Sequence, residues 1–123
     1  NPINLESVRN SLLEKNNITY HKYGIDMIGC TNVFILNNLI IHDQTHENAR
    51  KSIRICRSCD YIHVASNTIE GNACDENINN TNKWEMNCWK DASCSGSAYI
   101  PIQRCHVSGR GSLDQDPICC NGG

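Results

Sequence analysis

The chain is poor in the residues that build a thick core. Among 123 residues it has one phenylalanine and two tryptophans, and its hydrophobic fraction is 39%. That predicts a thin aliphatic core that gains from cross-links. No apolar run approaches the ~18 residues that cross a membrane, so no membrane span is expected. The formal charge of -2 supplies no electrostatic case for nucleic acid or an anionic membrane. The length suits one domain, taken as residues 1–123.

Cysteine is present in excess. Nine in a chain this short point to an oxidising compartment, so the expected location is secreted and extracellular. An odd count leaves one thiol free or linked to another chain. The first residue is Asn1, which fits a processed mature form. The sequons Asn17-Ile18-Thr19 and Asn79-Asn80-Thr81 make Asn17 and Asn79 candidate glycosylation sites, as in a glycoprotein.

Along the chain, Leu5, Val8, Leu12 and Leu13 recur at helical spacing. With Asn4 or Ser7 as cap and Asn16-Asn17 as stop, the pattern predicts a short amphipathic helix over residues 4–15. From Ile18 onward, short Ile-, Val- and Tyr-rich runs alternate with Asn, Gly, Ser and Asp, which reads as β. Lys83 to Ser97 reads as a disulfide-tied loop and residues 110–123 as an irregular tail.

Three stretches align without gaps: "TNVFILNNLI" from Thr31, "DYIHVASNTI" from Asp60 and "AYIPIQRCHV" from Ala98. Val33, Ile62 and Ile100 coincide, as do Ile35, Val64 and Ile102, and Ile40, Ile69 and Val107. The first two copies are offset by 29 residues and the last two by 38. Each copy is a strand, a corner and a strand, with corner asparagines at Asn38 and Asn67. The economical architecture is a mostly β protein: a short parallel β-solenoid of about three rungs over residues 18–109, with the N-terminal helix and disulfides. Stacked copies lie ~4.8 Å apart, which suits side-chain columns, stacked corner amides and disulfides between rungs. The offsets set Cys30 on Cys59 and Cys56 on Cys94, so these two bridges are expected. The alternative fold is an α/β sandwich with the helix on an antiparallel sheet.

"NVFILNNLIIHD" followed by "KSIRICRSCDYIHVASNTIEG" resembles consecutive rungs of the right-handed parallel β-helix of the pectate lyase superfamily. The resemblance covers residues 24–71 and, less closely, 96–109. It implies the fold and, as a second reading, a polysaccharide lyase-like enzyme. Ala65 and Ser66 stand where those lyases carry Asp-His before the corner Asn, and their catalytic arginine motif has no counterpart. The resemblance therefore implies fold more than activity.

Other spellings are weaker. "HDQTHE" places His42 and His46 four apart, but zinc needs that spacing on a helix, and a solvated loop is expected. Asp43, Glu47, Asp60, Glu70, Asp75 and Glu76 form no clear acid/base pair and read as surface. "GRGS" at Gly109–Ser112 reads as a turn. "CRSC" at Cys56–Cys59 reads as structural rather than redox-active. Trp84 and Trp89 would stack on sugar rings if exposed and would plug the core if buried, the reading favoured here. No catalytic residue, metal or cofactor is assigned. The function expected is that of a secreted, non-enzymatic structural or binding protein that self-assembles through its solenoid ends, engages another extracellular protein or binds glycans. A carbohydrate-active enzyme or a secreted toxin or effector is the alternative.

Overall fold

The computed structural model of the protein describes residues 2–43, 51–56, 58–77, 79–90, 100–106 and 109–118. They form strands β1 (Ile3–Glu6), β2 (Arg9–Glu14), β3 (Asn17–Tyr20), β4 (Tyr23–Ile28), β5 (Thr31–Leu36), β6 (Leu39–His42) and β7 (Lys51–Ile55), then β8 (Asp60–Ala65), β9 (Thr68–Ile69), β10 (Asn72–Asp75), β11 (Lys83–Glu85), β12 (Cys88–Trp89), β13 (Ile100–Gln103) and β14 (Arg110–Asp114). No helix occurs among the described residues, so the α/β alternative falls.

Pairing is almost wholly parallel, and each of the first nine strands pairs with the strand three places on in the chain. The strands therefore fall into successive tiers of three. The exception joins β13 to β14 antiparallel. It fuses two of the three strand columns into one curled ten-stranded sheet, in the order β1-β4-β7-β10-β13-β14-β11-β8-β5-β2. The third column is a separate sheet, β12-β9-β6-β3.

The predicted helix over residues 4–15 is corrected to β1 and β2. Leu5 pairs with Met27, and Leu13 with Ile35. The same apolar residues satisfy period 2 once the chain turns at Ser7 and Asn10, which hold φ of 58° and 52°. Strands β4 and β5 offer a ready template, and tertiary pairing overrides a helical pattern of only two turns.

The register over the middle of the chain has the expected offset of 29 residues: Val33 pairs with Ile62, Ile35 with Val64, and Ile40 with Ile69. The third copy differs. Trp84, rather than Ile102, follows Val64, and Ile100 lies on β13 against Asp114 of β14. The stretch from Lys83 thus contains two strands that continue the tiers, and Arg110–Asp114 is a strand rather than irregular tail. Sequence alignment chose an Ile-Pro-Ile alternation over Lys-Trp-Glu, because a tryptophan does not look like the valine it succeeds.

Inward residues stack in columns. Leu5, Met27 and Ile55 form one, and Leu13, Ile35 and Val64 another. Ile18, Ile40, Ile69 and Trp89 line the third sheet. Left-handed backbone recurs in register too. Lys15, Asn37, Ser66 and Met86, with φ of 59°, 56°, 57° and 55°, each precede a corner asparagine. Four unlike residues share one conformation, so the tier geometry rather than local preference imposes it.

Candidate functional site

The molecule has two unlike ends, joined by a ladder of side-chain amides. At each corner an asparagine donates both its backbone N–H and its Nδ2 to Oδ1 of the asparagine one tier on. Asn16 donates to Asn38, at 3.0 Å for both bonds. Asn38 donates to Asn67, at 2.9 and 3.0 Å. Asn67 donates to Asn87, at 3.0 Å for both. Asn87 donates to the Asp114 carboxylate, at 3.3 and 2.9 Å. The Nδ2 groups of Asn38, Asn67 and Asn87 also donate to the backbone carbonyls of Leu13, Ile35 and Val64 in the tier before. Asn38, Asn67 and Asn87 are buried, where an unmade hydrogen bond costs about 1–3 kcal/mol. Sequence reading named Asn38 and Asn67 and missed Asn16 and Asn87. The available signal was an asparagine two residues before an inward Ile18, Ile40, Ile69 or Trp89.

The closed end holds the two carboxylates that sequence reading missed as core residues. Asp75 and Asp114 are fully buried. Asp75 occupies the inward column below Ile55. It accepts from Trp84 Nε1 at 2.9 Å, from Asn82 Nδ2 and from the Asn77 backbone N–H. Burial pushes its carboxyl above the usual range, partly offset by these donors. Asp114 takes Trp89 Nε1 at 2.9 Å as well as the end of the ladder. The indoles stack at 6.0 Å between centroids. Trp84 and Trp89 are buried, which removes them as a sugar platform, because both faces are spent inside.

Around this plug, Cys74 is disulfide-bonded to Cys105. Glu76, also buried, accepts from Arg104 and from the His106 backbone N–H. Burial opposes the Glu76 charge, but His106 and Arg104 outweigh it and hold its carboxyl below the usual range. Asp75 and Glu76 are thus core groups rather than the surface carboxylates expected. The "GRGS" stretch, expected as a turn, is corrected: only Gly109 precedes β14, Arg110, Gly111 and Ser112 lie within it, and a Cβ on Gly111 would collide with the Asp75 carbonyl.

The opposite end is open. Strands β1, β2 and β3 each pair on one side only among the described residues. Inward Ile3, Leu5, Val8 and Leu13 are only partly covered, whereas Ile25, Met27, Cys30 and Ile35 one tier on are fully buried. Ile18 and Tyr20 on β3 are already buried. The exposed core therefore lies against β1 and β2. A cleft of about 380 Å³ borders this tier, lined by Pro2, Asn4, His21, Lys22, Tyr23 and Asp26.

Outside, polar pairs bind tier to tier. Arg54 forms two bonds to Asp26, at 2.8 and 2.7 Å, and lies 4.0 Å from the Tyr23 ring centroid. The Asp26 hydrogen bond raises its pKa. His63 Nε2 lies 2.7 Å from Glu85, which holds that carboxyl below its usual range. Leu12, Phe34 and Tyr61 are exposed on the β2–β5–β8 face. Tyr61 has φ 57° where the matching residues are Asn10 and Asn32.

The expected Cys30–Cys59 bridge is corrected: both are buried free thiols. Their register is as expected, but Cys59 Sγ accepts the Cys30 N–H at 3.3 Å, while Cys30 Sγ lies 3.3 Å from the Leu5 carbonyl. Cys56 is a free thiol too, and its expected partner Cys94 lies outside the described residues. Cys88 is disulfide-bonded. Asn17 and Asn79 are both exposed. His42 ends β6, where its N–H donates to Glu70; His46 and Glu47 lie outside the described residues. Among the described residues, no group of three His, Cys, Asp or Glu is placed to hold a metal, and no helix is long and apolar enough to cross a membrane.

No family model, curated protein or solved structure matches the chain.

Proposed function

We propose that the protein is a secreted, non-enzymatic structural or binding protein, a short parallel β-solenoid whose working surface is its open first tier. The observation that carries this reading is the contrast between the ends. One is closed by two buried Trp–Asp pairs and an antiparallel strand. Among the described residues the other leaves the outer edges of β1 and β2 unpaired, with half-covered Leu5 and Leu13. Such an edge is a template for added strands. Offsets of 22, 29 and 20 residues between successive ladder asparagines support the solenoid. Nine cysteines and two exposed sequons support secretion.

Self-association belongs to this reading in a finite form. An endless head-to-tail filament is disfavoured, because the antiparallel β13–β14 pair ends the parallel stacking. The glycan variant rests on exposed Phe34 and Tyr61 rather than on the tryptophans. The carbohydrate-active enzyme remains the second class; measurable cleavage of a pectin-like polymer would promote it.

The test is to add a tier to the open edge. Residues 23–42, with Cys30→Ser, followed by His21-Lys22, are fused ahead of Asn1, matching the 22-residue offset between the first two tiers. The expected result is a higher Tm and slowed amide exchange in β1, β2 and β3. A fused segment that exchanges like free peptide and leaves Tm unchanged sinks the reading.

A further inference from the structure

From the polarity of the asparagine ladder, we infer that the open tier recognises a strand–Asn–strand segment added in parallel register, with amide donors presented to Asn16 Oδ1. The inference rests on the open-tier reading and adds the partner's chemistry to it.

The ladder has a direction. At every step, two donors of one tier meet a single oxygen of the next, in the sense of increasing residue number. Oδ1 of Asn38, Asn67 and Asn87 each accepts two bonds in this way. Asn16 Oδ1 has the same place in the first tier and accepts no bond among the described residues, so there it is an unfilled double acceptor at the open end. Asn16 Nδ2 shows the complementary gap. In later tiers, Nδ2 donates to the carbonyl three residues before the preceding asparagine. Asn16 keeps only the bond to the carbonyl two residues back, Glu14 at 3.1 Å, which Asn67 makes to Ala65 in addition to its bond to Ile35.

A segment that completes the corner therefore brings two N–H donors and one carbonyl. A strand ending in an asparagine supplies all three, because the asparagine's backbone N–H and Nδ2 and the carbonyl three residues before it stand in that arrangement at each later corner. Its preceding strand runs alongside β2 in parallel, covering Ser11 and Leu13. The molecule's own closed end does not fit. It presents the Asp114 carboxylate oxygens, which accept, and setting them against Asn16 Oδ1 would place acceptor on acceptor in a buried site. This excludes head-to-tail copies as the partner on chemical grounds, independently of the antiparallel strand.

The probe is a fluorophore-labelled peptide of residues 23–42 with Cys30→Ser, titrated into the intact protein. Its Asn38 would lie ahead of Asn16 in the register the first two tiers already use. Two variants accompany it. In the Asn38→Asp peptide, the same shape presents an acceptor in place of the Nδ2 donor; the Asn38→Leu peptide lacks both polar groups. The expected outcome is saturable binding with protection of β1–β3 amides. Each variant should bind at least about tenfold more weakly, as the loss of one or two buried hydrogen bonds requires. Equal binding of parent and Asn38→Asp peptides overturns the inference and leaves the open-tier reading intact. A dimer joined through β1–β3 that the peptide does not displace overturns it in favour of a second copy. Absence of binding by all three overturns it too, and the fused-tier protein then decides whether the open-tier reading falls with it.

Discussion

The first three tiers and the closed end solve the same packing problem with different chemistry. In the first three, the columns are aliphatic, and each tier covers the next. In the closed end, the same positions pass to Asp75, Asn82, Trp84 and Trp89, with Asp114 after Trp84. A column cannot end on aliphatic carbon without exposing it, and an amide ladder cannot end on another amide without a stranded donor. Two indoles fill the volume, and two carboxylates take the remaining donors. The lesson is that a stacked fold is terminated by acceptors: Asp114 does for the ladder what Asp75 does for the Trp84 indole.

Breaking this contrast at its centre should give the largest effect. Trp84→Ala empties the plug and leaves Asp75 short of a donor, with an expected loss of about 3–5 kcal/mol in denaturant unfolding. Leu13→Ala, in the same column at the open end, should cost about 1 kcal/mol, because the side chain is already half in water. Comparable losses would mean that the first tier is covered in solution.

The ladder supplies the next step. Asn67→Ala strands the donors of Asn38 and the carbonyl of Ile35, for at least about 2 kcal/mol. Asn16→Ala removes only the Nδ2 donor from Asn38 Oδ1 and keeps the backbone N–H bond, for under about 1 kcal/mol. Thermal unfolding of the pair measures whether ladder positions gain value with depth.

The carboxylates give opposite pH signatures. Asp75 has a raised folded pKa, so its contribution is present below the ordinary carboxylate range and declines as pH rises through the raised value. Glu85 has a lowered one, so its contribution is present above that range and is lost as pH falls through the lowered value. Stability measured against pH should lose the first trend in Asp75→Asn. It should lose part of the acid limb in Glu85→Gln. An unchanged profile in Asp75→Asn would mean that the carboxyl is not held out of water.

A further small effect is a gain. Tyr61→Asn relieves a bulky residue in left-handed backbone at a position where Asn10 and Asn32 sit in register, and about 1 kcal/mol of stabilisation is expected by thermal unfolding. No gain would show that the Tyr61 ring is held by contacts that offset its strain.

The sequence by itself determined the β character from Ile18 on, the 29-residue register of the middle tiers and the importance of Asn38 and Asn67. Those features repeat locally: an alternation of Val and Ile and a small amide at a fixed distance from it. Only the tertiary structure decided the rest. Residues 4–15 carry a pattern that two secondary structures satisfy, and the presence of β4 and β5 as templates selected strands. Asp75 and Asp114 look like surface carboxylates in one dimension. They are core residues because Trp84 and Trp89, on β11 and β12, and Asn82 and Asn87, just before those strands, converge on them, and a buried carboxyl group is acceptable only where donors meet it. The closed end was hidden for the same reason. Its replacements share volume and hydrogen-bonding capacity with the columns they terminate, not residue type, so no alternation in the sequence marks them.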